Sequence, residues 1–208
     1  MNNLLAGITA KAFPKSILEL RTELFRKSLH MLIAMIPMIA AIDKGIAFAL
    51  LSVGAIIYTY SEILRGKGYS LIYISDFKNF GLREKEKNCF AGGPVTLALG
   101  AMAALLFYPS DIAKIAIYAL AFGDGFASLV GKVFGTIKIP FTGGKTLEGS
   151  MACFFAVLLS TYTVTSNIGV SFATALTVMI AEAFPLGDYD NFIIPVVAGT
   201  TAFLMLGA

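Results

Sequence analysis

The chain has 208 residues, of which 57% are hydrophobic and only 14% charged. That is a bilayer composition, and it excludes an ordinary water-soluble globular domain. The formal net charge of +3 arises from cations gathered in one set of loops and gives no ground for a nucleic-acid partner.

Residues 1–8 are too short an apolar segment, and lack the basic flank before it, to read as a cleavable signal peptide. Residues 1–28 are expected to form an N-terminal helix lying in the membrane interface. Seven apolar runs follow, at 29–42, 46–64, 94–108, 112–134, 149–166, 170–184 and 192–206. A spanning helix needs about 20 residues, and four of these runs are nearer 15, so their flanks must extend them or they tilt little. The expectation is an all-α, polytopic membrane bundle of about seven transmembrane helices, folded as one domain. Between the second and third runs, residues 69–80 mix Leu71, Ile72, Ile74, Phe77 and Phe80 with Asp76 and Lys78, a pattern suited to an interfacial helix.

The loops set the orientation. Of the sixteen cations only Lys44 and Lys114 fall on one side of the alternating spans; the rest, from Lys11 through Lys145, share the other. Cytoplasmic loops carry such an excess, so the N-terminus and these loops are expected in the cytoplasm. The two cysteines, Cys89 in a loop and Cys153 in a span, suggest neither a disulfide nor a metal site.

Nearly every ionisable side chain meets the same face, in four clusters. In the first, Glu19, Glu23, Arg26, Lys27 and His30 share one helical face at 100° per residue. His30 is the chain's only histidine, and it enters the membrane on that charged face. The second is the charge run Arg83-Glu84-Lys85-Glu86 ahead of Gly92-Gly93-Pro94.

The third cluster is the richest. Asp124, Ser128, Lys132 and Gly135 recur at helical spacing along the fourth run. Asp124 lies about 18 Å along that helix from its outer end, inside the hydrocarbon layer, where an aspartate needs a partner, a metal or water. Lys132 or Lys145 would be such a partner. Next comes Thr142-Gly143-Gly144-Lys145-Thr146-Leu147-Glu148. Two glycines let backbone N–H groups converge on an anion, the helix start adds partial positive charge, and Lys145 supplies a full one. It is not a P-loop, because Ile139 stands where that pattern needs glycine. Thr146 is a natural cap for the fifth helix, and Glu148 an acid favoured in its first turn.

The fourth cluster is Glu182, Asp188 and Asp190 around Pro185 and Gly187. These carboxylates, with Asp124, form an all-oxygen donor set suited to a divalent ion that bridges phosphates.

Taken in order, Glu23-x-x-Arg26-Lys27-x-x-His30, Arg83-x-x-Glu86, Gly123-Asp124 with Gly131-Lys132-x-Phe134-Gly135, Gly144-Lys145-Thr146-x-Glu148-Gly149-Ser150, and Glu182 with Asp190-Asn191 and Pro195 resemble the CTP-dependent lipid kinase family. That family comprises dolichol and polyprenol kinases, phytol kinase and the CTP-using diacylglycerol kinase. The resemblance covers about Glu23 to Pro195 and implies transfer of the γ-phosphoryl group of CTP to the hydroxyl of a membrane lipid alcohol, with Mg²⁺. It implies phosphate binding by Arg26, Lys27, Ser128, Lys132, Gly143, Gly144, Lys145, Thr146 and Glu148. Metal binding falls to Asp124, Glu182 and Asp190, and the hydroxyl proton to His30 or one of those carboxylates. Glu23, Arg83, Glu86 and Asn191 complete the motifs. Tyr189 departs from the pattern, which commonly has an aspartate pair there.

The central block also resembles phosphatidate cytidylyltransferase, which implies CTP and phosphatidate as the alternative substrates. The long basic, aspartate-rich C-terminal stretch of that family is missing. A transporter would instead show inverted repeats and broken helices at the midplane. Lipid identity and oligomeric state are not fixed by these residues.

Overall fold

The computed structural model describes residues 17–67 and 90–207. The interfacial segment expected at 69–80, together with Arg83, Glu86 and Cys89, lies outside the described residues, as does most of the expected N-terminal helix. Seven helical stretches make an all-α bundle: α1 (17–42), α2 (Lys44–Gly66), α3 (Gly93–Phe107), α4 (Ser110–Phe134), α5 (Leu147–Thr165), α6 (Ile168–Ala183) and α7 (Asp190–Leu206). Four segments are long and apolar enough to cross a membrane: α2, α4, α5, and α7 with the 3₁₀ turn Gly187–Tyr189 before it. Helices α3 and α6 are apolar but shorter.

The boundaries follow from local chemistry. Asp43 caps α2 by accepting from the Ile46 amide at 3.0 Å. Thr146 caps α5 through the Gly149 amide at 3.3 Å, and Asn167 caps α6 through the Gly169 and Val170 amides at 2.9 and 3.2 Å. Each satisfies donors that a helix start leaves open. Pro94 sits in the first turn of α3, and Pro37 in the first turn of the last α-helical segment of α1, which follows a 3₁₀ turn at Ile33–Met35; in such positions a missing N–H costs little.

Helix α4 is the axis of the bundle. It touches α1, α3, α5, α6 and α7, and its Ile115, Ile117 and Leu120 are fully buried. Among the described residues, large apolar side chains are exposed along every other helix, as on Met38, Ile56, Leu106, Leu159, Phe172 and Leu204. Lipid tails solvate such a surface, so packing rather than water exclusion holds the helices together. Small residues permit that packing. A Cβ on Gly149 would lie 2.7 Å from the Ala127 carbonyl oxygen, and one on Gly123 2.9 Å from Val157. Gly131 and Gly149 bring α4 and α5 into backbone contact.

Two irregularities bear on the site. Residues Ala119–Asp124 make a π turn within α4, a feature that often marks functional positions. Between α4 and α5 the chain forms a short hairpin: the Ile139 amide donates to the Lys145 carbonyl, and the Leu147 amide to the Ile137 carbonyl, each at 2.9 Å. It is closed by the single bridge pair Lys138 and Thr146.

Candidate active site

The helices alternate in direction, so the start of α1, the end of α4, the starts of α5 and α7 and the end of α6 meet at one end of the bundle. There they enclose a chamber of about 480 Å³, the size of a small-molecule site. Helix α1 contributes Glu23, Arg26, Lys27 and His30, and α4 contributes Asp124, Ser128 and Lys132. The hairpin contributes Thr142 to Lys145 with the cap Thr146, α5 adds Ser150, and α6 adds Glu182. Asp188, Asp190 and Asn191 close the far wall. Four clusters read separately along 208 residues thus include three that share one cavity.

The pairing inside differs from the expectation. Asp124 is held by neither Lys132 nor Lys145. Its Oδ2 accepts from Lys27 Nζ at 2.5 Å and lies 3.1 Å from His30 Nδ1. The π turn ends at Asp124 and aims its carboxylate at the charged face of α1. That face is turned into the protein: Lys27 is 3% and His30 5% exposed. Lys27 therefore does not reach out to headgroups as an interfacial lysine would. Lys132 pairs with Glu23 at 2.5 Å. Glu23 also lies 3.7 Å from Arg26.

Lys145 forms the other pole. Its Nζ lies 3.1 Å from Glu182 Oε1 and 3.2 Å from Asp190 Oδ2, and it also donates to the Glu182 carbonyl oxygen. It is placed by Gly143 and Gly144, whose φ values of +69° and +101° belong to a region that side-chain-bearing residues rarely adopt. The cradle packs against the acidic turn, since a Cβ on Gly143 would meet Pro185 at 3.2 Å.

Several buried polar atoms lining the chamber have no hydrogen-bond partner among the described residues: Ser150 Oγ, Glu182 Oε2, Asp190 Oδ1 and Arg26 Nη1. An unmet buried polar group costs roughly 1–3 kcal/mol, so these atoms around one cavity are open to water or to a ligand. Two of the four are carboxylate oxygens a lysine apart. They fit a hard divalent cation, which takes oxygen donors. The chamber's formal charge argues the same way. Arg26, Lys27, Lys132 and Lys145 face Glu23, Asp124, Glu182, Asp188 and Asp190, so the walls are not net positive. A polyanion alone would be opposed there, whereas one carrying a divalent ion would not.

The described residues hold no group of three His, Cys, Asp or Glu side chains close enough to bind an ion. Asp124, Glu182 and Asp190, expected together as metal ligands, are each held by a lysine instead. Glu148, expected at the phosphates, does not line the chamber. Its carboxylate accepts from the Thr136 and Ile137 amides at 2.9 and 3.2 Å and from the Thr136 hydroxyl, tying the hairpin to α5. Asn191 braces the wall by donating to the Gly93 carbonyl at 3.1 Å and to Thr96 Oγ1 at 2.9 Å. Ser150 stands in the motif without an expected role; its signal for one is its place one helical turn after Thr146, on the same face.

At the tip of the hairpin, Phe141 has φ +64° and a fully solvent-facing ring, 101% exposed. A bulky residue in that region costs about 1–3 kcal/mol. The turn is held by Thr142, whose hydroxyl donates to the Ile139 carbonyl at 2.8 Å.

Fold and site together define a multi-pass membrane protein with a charged, ligand-sized chamber at one end of its bundle. Curated relatives agree with the resemblance read from the motifs. Over 143 residues the chain is 29% identical to a probable phytol kinase of Triticum aestivum, covering 60% of this chain and 48% of that protein. It is 29% identical over 145 residues to the farnesol kinase of Arabidopsis thaliana, covering 66% and 46%. It is 30% identical over 79 residues to the CTP-dependent diacylglycerol kinase 1 of Eremothecium gossypii, covering 38% and 25%. These relatives support the assignment of the chain to the CTP-dependent lipid kinase family. The chain spans about half the length of the phytol and farnesol kinases it matches. No family model matches the chain, and no solved structure matches it significantly.

Proposed function

We propose that this protein moves the γ-phosphoryl group of CTP to the hydroxyl of a membrane lipid alcohol, at the cytoplasmic face. The observation that carries the reading is the chamber itself. The glycine-turned Lys145 loop, unpartnered carboxylate oxygens and a buried Asp–His–Lys cluster meet in one chamber at one end of an apolar bundle. Phosphoryl transfer asks chiefly for alignment and charge neutralisation, and these residues supply both.

In this reading the Gly143-Gly144 backbone and Lys145 hold the terminal phosphates. Lys145 then exchanges its contacts with Glu182 and Asp190 for phosphate oxygens. The freed carboxylates, with their unpartnered Oε2 and Oδ1 atoms, would hold Mg²⁺. When bound, that ion neutralises charge building on the phosphates. Arg26 and Lys132, on the opposite wall, meet the remaining phosphate oxygens, with Ser128 between them. Asp124 keeps Lys27 and His30 in place beside the reacting hydroxyl, whose proton passes to His30 or to a neighbouring carboxylate.

The test is direct. The purified protein is incubated with Mg²⁺, labelled CTP and a panel containing phytol, a polyprenol and diacylglycerol. The expected products are CDP and a phosphorylated lipid. Pyrophosphate and a CMP-linked lipid from added phosphatidate would instead make it a cytidylyltransferase. ATP in place of CTP tests the donor.

A further inference from the structure

Among the described residues, the chamber's lining provides for phosphates but not for a base. Its lining holds glycines, charged groups, hydroxyls and one imidazole engaged with Asp124; no Phe or Tyr is among the lining residues. A nucleotide whose phosphates sit in the Gly143-Gly144-Lys145 cradle must therefore place its base outside, past the rim. Phe141, at the tip of the hairpin, directly precedes four consecutive lining residues, Thr142 to Lys145.

Phe141 has two properties that the fold alone does not explain. Its ring covers none of the protein, and its backbone is held at φ +64° by a closed hairpin. The left-handed backbone is unfavourable in the free protein. Both properties make sense if the hairpin presents a rigid aromatic face that a ligand covers. The neighbouring turn, which touches the cradle at Pro185, carries a second exposed aromatic, Tyr189 at 72%. That residue stands between the lining residues Asp188 and Asp190.

The geometry points to Phe141 as a stacking platform for the base of the donor nucleotide. The inference rests on the nucleotide reading of the chamber and adds its missing half, a site for the base. Stacking is tolerant of base identity because every base has a π face. The platform would thus supply affinity for a nucleoside triphosphate and leave the choice between cytosine and adenine to other contacts.

The chain contains no tryptophan, so F141W installs a single reporter at this position. In detergent with Mg²⁺, its emission should respond to CTP and not to inorganic tripolyphosphate, which fills the cradle without a base. F141L keeps the apolar bulk and removes the aromatic face; F141G removes the ring and relieves the backbone. Both should weaken CTP binding by roughly 5- to 100-fold, the span for loss of one base–aromatic stack, and leave tripolyphosphate binding unchanged. Unchanged CTP affinity in both variants overturns the platform. So does F141W emission that ignores CTP but is quenched by spin-labelled lipid, which would make the membrane interface the ring's partner. If the wild type binds tripolyphosphate and CTP equally, the platform falls and the cradle stands. If it binds neither, the nucleotide reading falls and takes the platform with it.

Discussion

The two ends of the bundle treat polar groups in opposite ways. At the end away from the chamber, hydroxyls are met locally. Tyr108 donates to the Val196 carbonyl at 3.0 Å and shares a 2.8 Å bond with Thr200, Thr177 bonds Thr201 at 3.1 Å, and Ser171 bonds the Asn167 carbonyl at 2.7 Å. The Tyr108 ring fills the space that Gly199 leaves open. Such contacts fasten helices to one another in lipid. At the chamber end, long charged side chains reach across the bundle, and Ser150, Glu182, Asp190 and Arg26 keep buried atoms without hydrogen-bond partners among the described residues. Polar groups satisfied by the protein indicate structure; polar groups left open around a cavity indicate a ligand. The division is not perfect, since Thr161 and Thr174 are also buried without partners, but they line no described cavity.

The largest expected effect comes from breaking the buried cluster. Asp124→Ala should lower lipid phosphorylation by roughly 10³-fold or more. It should also destabilise the protein by about 3–5 kcal/mol, because Lys27 is left buried without its counter-charge. The double variant Lys27→Met, Asp124→Leu separates the two effects: thermal stability in detergent should recover and activity should not. Recovery of both would make the cluster structural, and full activity in Asp124→Ala would remove it from the mechanism.

Next is Lys145→Met, which should weaken CTP binding by roughly 10- to 100-fold, the loss of charge-assisted bonds, with lipid binding little changed. Unchanged nucleotide affinity would count against the cradle. Ser150→Ala removes a hydroxyl that has no partner in the free protein. Melting temperature should hold or rise slightly, while affinity for Mg²⁺–CTP falls roughly ten-fold. A loss of stability without a loss of affinity would assign Ser150 to the fold.

The smallest effect belongs to the end away from the chamber. Tyr108→Phe should cost about 1 kcal/mol of stability and leave the rate of transfer unchanged. A rate defect there would erase the contrast between the two ends.

Much of this was legible in the residues. Hydropathy placed six of the seven helices within about two positions of their observed ends, missing only the early start of α1 at Ile17, and sidedness of charge brought Asp124, Lys145, Glu182 and Asp190 to one end. Which groups pair was not legible. Asp124 with Lys27 and Lys132 with Glu23 are contacts between α1 and α4, separated by 97 and 109 positions. Helical periodicity gives the face of each helix but not its rotation against a neighbour. The extension of α1 back through Glu23, with its charges turned inward, was hidden by the same gap: a charged helix face reads alike whether it meets headgroups or a partner helix. Glu148 was drawn toward the phosphates by its motif, yet its first-turn position sets it against the hairpin amides. The strained tip at Phe141 has no sequence signature, because left-handed backbone is usually announced by glycine or asparagine and here a phenylalanine adopts it.

The π turn at Ala119–Asp124 has a further meaning for the phase of α4. A π turn holds one residue more than the α turn it replaces, which shifts everything after it by about 100°. The first part of α4 buries Ile115, Ile117 and Leu120 in the apolar core, and the second part turns Asp124, Ser128 and Lys132 to the chamber. A chain shortened by one residue within 119–123 would keep every charged group and every helix. Its polar stripe would swing about a quarter-turn from Lys27 and His30, leaving the same chemistry out of step with itself.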